Sequence, residues 1–258
     1  MLFFKEPCKR HPPLRVFFCL ILFVSNSLQA EELLVAVASN FSHTLKKLSG
    51  DFKERTGHEL LISTASTGKL YAQIQHGAPY DVFLAADEKH PDLLVADDKA
   101  DRSSSYIYAR GQLVFVSNIK AVGSCQSVLT SPALKRLAIA NPKTAPYGLA
   151  ARQVIAGLGL WPELEPRLVM GENVAQTMQF VATKNAQAAF ISRSMLHMGK
   201  GIDSECTWDI PVDMYSAINQ KLVVLDRAKA KTAAQAFFNY MQSAQAKEII
   251  RVAGYDVL

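Results

Sequence analysis

Four short stretches of the chain place small polar or turn-forming residues where anions are commonly held: Ser39-Asn40, Ser66-Thr67-Gly68, Pro146-Tyr147-Gly148 and Asn173-Val174. Each stands where an apolar run or a loop gives way to a helical pattern. Each therefore sets unpaired peptide N–H groups beside a short hydroxyl or amide at a helix start. Such groups donate to an oxyanion without supplying a counter-charge. A plainer role exists for every one of them, because Ser, Thr and Asn at a helix N-terminus act as caps worth about 1 kcal/mol each. The residue types alone fit both roles.

Other chemistries are less complete. Ser66-Thr67-Gly68-Lys69 satisfies S-x-x-K, in which a lysine one turn beyond a serine nucleophile helps to deprotonate it, as in exported serine hydrolases of the penicillin-recognising kind. The S-D-N and K-T-G elements that accompany it are missing, since Lys143-Thr144-Ala145 and Lys231-Thr232-Ala233 lack the glycine. No H-E-x-x-H or G-x-S-x-G occurs, and Gly68-Lys69 is followed by Leu70 where a P-loop needs Ser or Thr. His11, His43, His58, His76, His90 and His197 are scattered and read as solvated or satisfied. None of these catalytic signatures is complete.

The elements that must position the four stretches alternate between strand and helix. Leu33 to Ala38 is a continuous apolar run of strand length, suited to burial on both faces. Phe41, Leu45, Leu48 and Phe52 then form a helical stripe that Gly57 closes. The unit repeats with a strand at 59–64, a junction at 65–68 and a helix at 69–76; a third strand at 81–85 leads into a helix from about Glu88. A second series begins with the strand-like run 112–116. It continues with strands at 136–140, 167–170 and 188–191, and with helices from Gly148 to about Leu158 and at 174–183. The last segment, 231–252, reads as Ala-rich helix anchored by Phe237, Phe238, Met241, Ile249 and Ile250. Alternation of this kind predicts mostly parallel sheets flanked by helices. So many short strands would make one sheet unusually wide, so two α/β lobes are expected.

With 49% hydrophobic and 20% charged residues, the composition is that of an ordinary globular protein. The net charge of +5 and pI near 9.0 invite a nucleic-acid reading. The first thirty residues weaken it. A basic stretch (Lys5, Lys9, Arg10, Arg15), an apolar run from Val16 to Val24 and a short polar end at Ala30 have the three parts of a cleavable secretory signal, and the run is too short to span a bilayer. Without it the charge falls to about +2, and no nucleic-acid partner is expected. Cys8 and Cys19 leave with the leader. Cys125 and Cys206 are in no metal-ligand spacing, so no cation site is expected; one disulfide and two buried thiols are both compatible with them. No cysteine follows the apolar run at a lipidation position, which points to a soluble exported protein.

One longer pattern is more specific. Ala65-Ser66-Thr67-Gly68-Lys69-Leu70-Tyr71-Ala72-Gln73-Ile74 is followed by Gly77-Ala78-Pro79-Tyr80-Asp81-Val82-Phe83-Leu84-Ala85-Ala86-Asp87. Gly157-Leu158-Gly159-Leu160-Trp161, Gly171-Glu172-Asn173-Val174 and Gln245-Ala246-Lys247-Glu248-Ile249-Ile250 support it. In these stretches, and from about Leu33 to Tyr255, the chain resembles the periplasmic molybdate-binding proteins of ABC importers, the ModA family.

The resemblance implies a two-lobed, type II periplasmic binding fold closing on a molybdate or tungstate dianion, with no further cofactor. It implies a periplasmic monomer that serves the permease of an ABC transporter, with one lobe at 31–110 plus 214–258 and the other at 111–213. The family's binding positions fall on Ser39 and Asn40, on Thr67 with Ser66 adjacent, and on the N–H groups of Tyr147 and Val174. Some relatives place a tyrosine hydroxyl at the position of Ser192. Here that tyrosine is missing, so either Tyr147 supplies the phenol from another direction or the cage has one donor fewer. Lys69 either leans towards the ligand or is solvated. The closest rival is a binding protein for sulfate, thiosulfate or phosphate on the same fold.

Overall fold

The computed structural model describes residues 1–2, 30–196 and 204–257. The leader expected at 1–30 and His197 lie largely or wholly outside the described residues. Two five-stranded sheets, each flanked by helices, make the two lobes.

The first sheet has strands β1 (Glu32–Ala38), β2 (Glu59–Ala65), β3 (Val82–Leu84) and β4 (Tyr106–Gly111). The second has β5 (Leu113–Ser117), β6 (Leu137–Ala140), β7 (Leu168–Gly171), β8 (Ala188–Ser192) and β9 (Cys206–Asp209); β10 (Ile218–Val224) returns to the first. The strand orders, β2-β1-β3-β10-β4 and β7-β6-β8-β5-β9, follow one plan. Three parallel strands lie in the order second, first, third, and beside them runs an antiparallel strand that has just arrived from the other lobe. The strand that leaves each lobe forms its edge.

All six parallel strands are ones that the apolar runs identify. Three strands escaped the sequence reading, β4, β9 and β10, and all three are antiparallel in their pairings. They make the sheets mixed where mostly parallel ones were expected. The reason is chemical: Arg110 in β4, Thr207 and Asp209 in β9, and Asn219, Gln220 and Lys221 in β10 interrupt any uniform apolar run.

The helices are α1 (Ser42–Thr56), α2 (Thr67–Gln75), α3 (Lys89–Ala96), α4 (Pro146–Gly157), the single-turn α5 (Trp161–Leu164), α6 (Val174–Ala182), the single-turn α7 (Arg193–Leu196), α8 (Thr232–Met241) and α9 (Ala244–Val252). Phe41, Leu45, Leu48 and Phe52 are fully buried, as their spacing requires. Gly57 ends α1 in the left-handed region, at φ 76°, returning its N–H to Lys53 O at 2.9 Å. The segment 231–252 is two helices and not one. The chain turns at Ser243, whose hydroxyl accepts from Ala246 N–H and starts α9 afresh. The turn lets Phe237 and Met241 of α8 and Ala246 and Ile250 of α9 enter the same core.

Cys125 and Cys206 form a disulfide with Cα atoms 5.6 Å apart, which decides between the two states left open by their spacing. It ties the segment beside β5 to the edge strand β9 and closes a loop of 81 positions in the second lobe. Reducing it, or replacing both cysteines by alanine, is expected to lower stability by about 2–4 kcal/mol. Urea unfolding with and without reductant measures this.

Candidate functional site

In open α/β sheets, ligands bind beyond the carboxyl ends of the parallel strands, where the strand order reverses. Ser39-Asn40 follows β1, Ser66-Thr67 follows β2, Tyr147 stands after β6, Val174 follows β7, and Ser192 is the last residue of β8. Six of these seven residues are brought together. Ser39, Asn40, Ser66 and Thr67 from the first lobe and Tyr147 and Val174 from the second enclose a small cavity, completed by Ala38, Ala86, Ala145 and Pro146. No residue of this lining carries a charge. A wider open cleft beyond Ala86, Ala145 and Pro146 carries Lys89, His90 and Lys143, none of which lines the small cavity.

Local folding explains why unengaged donors face this space. Ser66 occupies the N-cap position of α2 without capping it; its hydroxyl is buried and has no hydrogen-bond partner among the described residues. Capping does not account for Ser39-Asn40 or Pro146-Tyr147 either, because α1 and α4 have no side-chain cap. Only Asn173 acts as the plainer role predicts, accepting from Ala175 N–H at 3.0 Å and Gln176 N–H at 3.1 Å. That cap leaves the N–H of Val174, the first residue of α6, without an acceptor. The N–H groups of Asn40, Thr67 and Tyr147 likewise meet no acceptor among the described residues. Thr67 differs from Ser66: its Oγ1 accepts from Ala86 N–H at 3.0 Å, which pins the start of α2 to the end of β3. Ser39 donates its N–H to Ala65 O and keeps only its hydroxyl for the cavity.

The lobes touch beside the cavity. Gly68 N–H donates to Thr144 O at 2.9 Å, and a Cβ on Gly68 would lie 3.1 Å from Thr144 Cα and O. Lys69 Nζ pairs with Glu172 of the second lobe at 2.8 Å, and both side chains are well exposed. Lys69 is thus neither a cavity residue nor a lone solvated cation. The S-x-x-K chemistry finds no support, since Ser66 Oγ lacks the lysine contact it would need.

Behind the cavity lies a buried hydrogen-bond network that the sequence reading missed. Asn40 Nδ2 donates to Gln220 Oε1 (2.9 Å) and Tyr255 OH (3.2 Å), and Tyr255 OH donates to Asn40 O (2.8 Å). Tyr108 OH also reaches Gln220 Oε1, at 3.1 Å. Ser192 belongs here and not to the cavity wall: fully buried, its hydroxyl meets Ser194 Oγ, which donates to Tyr255 OH. The Tyr147 phenol also points into the network, receiving Gln220 Nε2 at 3.4 Å. Burial raises Tyr108 and Tyr147 well above the ordinary tyrosine range. It pushes Tyr255 up to about 12, against the opposing pull of bonds from Ser194 and Asn40. Among the described residues, no group of three His, Cys, Asp or Glu side chains could hold a metal ion.

Residues 33–256 match the model of the bacterial extracellular solute-binding proteins, the class that this fold and interlobe cavity define. The molybdate-binding protein ModA of Azotobacter vinelandii is 42% identical over 230 residues, covering 89% of this chain and 91% of its own; that of Rhodobacter capsulatus is 38% identical, covering 88% of each. The solved structure of the Azotobacter vinelandii periplasmic molybdate-binding protein superposes with a TM-score of 0.82 at 36% identity, over 88% of this chain and 99% of that one. Within the wider class, the chain belongs to the ModA family. The sulfate-binding protein SubI of Mycobacterium tuberculosis shares the fold, with a TM-score of 0.68 at 15% identity over 88% of this chain and 87% of its own.

Burial of these tyrosines makes the stability of the protein depend on alkaline pH. Unfolded tyrosines ionise near pH 10, while the buried ones keep their protons, so their stability contribution is intact below pH 10 and is lost as pH rises towards 12. Tyr255 alone accounts for a loss on the order of 2–3 kcal/mol. A melting curve series from pH 8 to pH 11.5 should fall steeply above pH 10, with tyrosinate absorbance appearing together with unfolding.

Proposed function

We propose that the protein captures molybdate, and tungstate of nearly the same size, in the interlobe cavity and delivers it to the permease of an ABC importer. On this reading the chain is exported by the segment 1–30, works as a monomer in the periplasm and catalyses no reaction. Its lobes are divided at 31–110 with 214–258 and at 111–213. The names of its relatives support the choice of anion. The observation that carries it is the buried, partnerless hydroxyl of Ser66, set among unengaged N–H groups in a chargeless cavity.

A cage of donors suits an anion that accepts at every oxygen. Hydrogen bonds to a charged group are worth roughly 1.5–3 kcal/mol each, and exclusion of water by the closed lobes strengthens them. Ser66 Oγ, Thr67 N–H, Asn40 N–H and the Ser39 hydroxyl serve from one lobe, and Tyr147 N–H and Val174 N–H from the other. Ser192 acts through Ser194 and Tyr255, behind the donors. A protonated phosphate brings a donor to a site poor in acceptors, since Thr67 Oγ1 is already engaged by Ala86. Sulfate is smaller and leaves some donors unpaired, at about 1–3 kcal/mol each.

Molybdate at one hundred times its dissociation constant should stabilise the protein by about 2.7 kcal/mol, read as a raised melting temperature, while equal sulfate should not. Equal shifts, or none with molybdate, would sink the assignment. Ser66→Ala should weaken molybdate binding tenfold or more by calorimetry, the loss of one charge-assisted bond. Its ligand-free melting temperature should hold or rise, because the substitution removes a buried unsatisfied hydroxyl. Wild-type affinity in this variant would place the donor elsewhere.

A further inference from the structure

Gln220 is fully buried on β10, just before the register of β10 against β4 shifts between Gln220 and Lys221. It does not line the cavity. Its amide nevertheless links one residue of each lobe that does. Oε1 accepts from Asn40 Nδ2, beside one cavity N–H, and Nε2 donates to the phenol of Tyr147, beside another. The single proton of Tyr108 OH is shared between Ala85 O and Gln220 Oε1, each at 3.1 Å, and this partial donation favours the same orientation of the amide.

The meeting point requires a residue without a side chain. A Cβ on Gly111, at the end of β4 where the chain crosses between lobes, would stand 2.0 Å from Tyr147 OH and 2.8 Å from Gln220 Nε2. Glycine is needed there for close approach, and the phenol and the amide occupy the space that it leaves. Asn40, Gln220 and Tyr147 thus form a strut across the crossing, roughly parallel in purpose to the ligand that bridges the same two residues through their N–H groups.

We infer that Gln220 is a positioning residue that sets the span between the donors of the two lobes, and thereby the size of tetrahedral anion that the cage accepts. This rests on the oxyanion reading above. Recognition by size requires both halves of the cage to stop at a fixed separation. The ligand cannot set that separation itself, because a smaller anion would draw the lobes further together. The Gln220 to Tyr147 contact opposes that extra closure: the phenol already fills the gap over Gly111, and the amide behind it is held by Asn40 and Tyr108. Loss of the strut therefore costs discrimination as well as affinity.

The test uses the mature chain and calorimetric titration with sodium molybdate and sodium sulfate, beside ligand-free melting curves. Tyr147→Phe removes the hydroxyl and keeps the peptide N–H; Gln220→Met removes the amide at similar length. Each should lower molybdate affinity about fivefold to tenfold, as the loss of one hydrogen bond in a coupled set, and should narrow the ratio of molybdate to sulfate affinity by a similar factor. The double variant should be little worse than either single one, because both break the same link. Unchanged affinity and ratio in Tyr147→Phe, equal losses for both anions, or fully additive losses in the double variant would overturn the proposal. Should Gln220→Met fail to fold, Tyr147→Phe decides alone through the anion ratio. Failure of the wild-type protein to bind molybdate is a separate result, visible before any variant is made, and removes the oxyanion reading together with this one.

Discussion

A buried hydrogen-bond donor without an acceptor is costly, and this protein keeps several of them in one place. The hydroxyl of Ser66 and the peptide N–H groups of Asn40, Thr67, Tyr147 and Val174 face a cavity whose walls carry no charge and few free acceptors. Each such group, left dry, costs about 1–3 kcal/mol. The rest of the structure makes that expense tolerable: one hydrophobic core centred on the second lobe and two in the first hold the fold, so the donors can be displayed at the seam. An anion that enters removes the cost and gains the full strength of bonds made away from water.

Neutral donors need accurate placement more than a counter-charge does, since a hydrogen bond weakens steeply with angle and distance while a Coulomb attraction fades slowly. The plan shared by the two sheets provides that placement. In each lobe the first and second parallel strands deliver their carboxyl ends to the seam, and an antiparallel strand from the opposite lobe braces the third. The strand crossings thus tie both halves of the site to one scaffold. The network of Asn40, Gln220, Tyr108, Tyr255 and Ser194 fills the space between the crossings and the cavity with satisfied polar groups. Such a network is rigid when every member is paired.

The parts legible in the sequence were those whose signal is local. Apolar runs marked the parallel strands, the spacing of Phe41 to Phe52 marked α1, and small polar residues at strand ends marked the cavity. Of the antiparallel strands only the apolar β5 was legible; in β4 and β10 polar residues such as Arg110 and Lys221 break the run. Whether a serine caps a helix or faces a ligand was not legible either: Ser66 and Asn173 occupy equivalent positions, and only the geometry shows that one caps and the other does not. The network was the least visible part. Asn40 meets Gln220 across 180 positions and Tyr255 across 215, so no spacing could relate them. The turn at Ser243 did carry a local signal, a serine ahead of an apolar helical face, which the Ala-rich composition on both sides obscured.

Most of the donors in the cavity belong to the main chain and not to side chains. Alanine scanning cannot delete them. Val174 could be exchanged for many residues of similar bulk and its contribution would persist, so a scan would rank it as inert. Proline is the exception among the common residues, because it alone lacks the proton. What such a site inherits is therefore a path through space more than a set of letters. A chain could drift far in composition at these positions and still present the same donors, provided that its strands ended, and its helices began, in the same places.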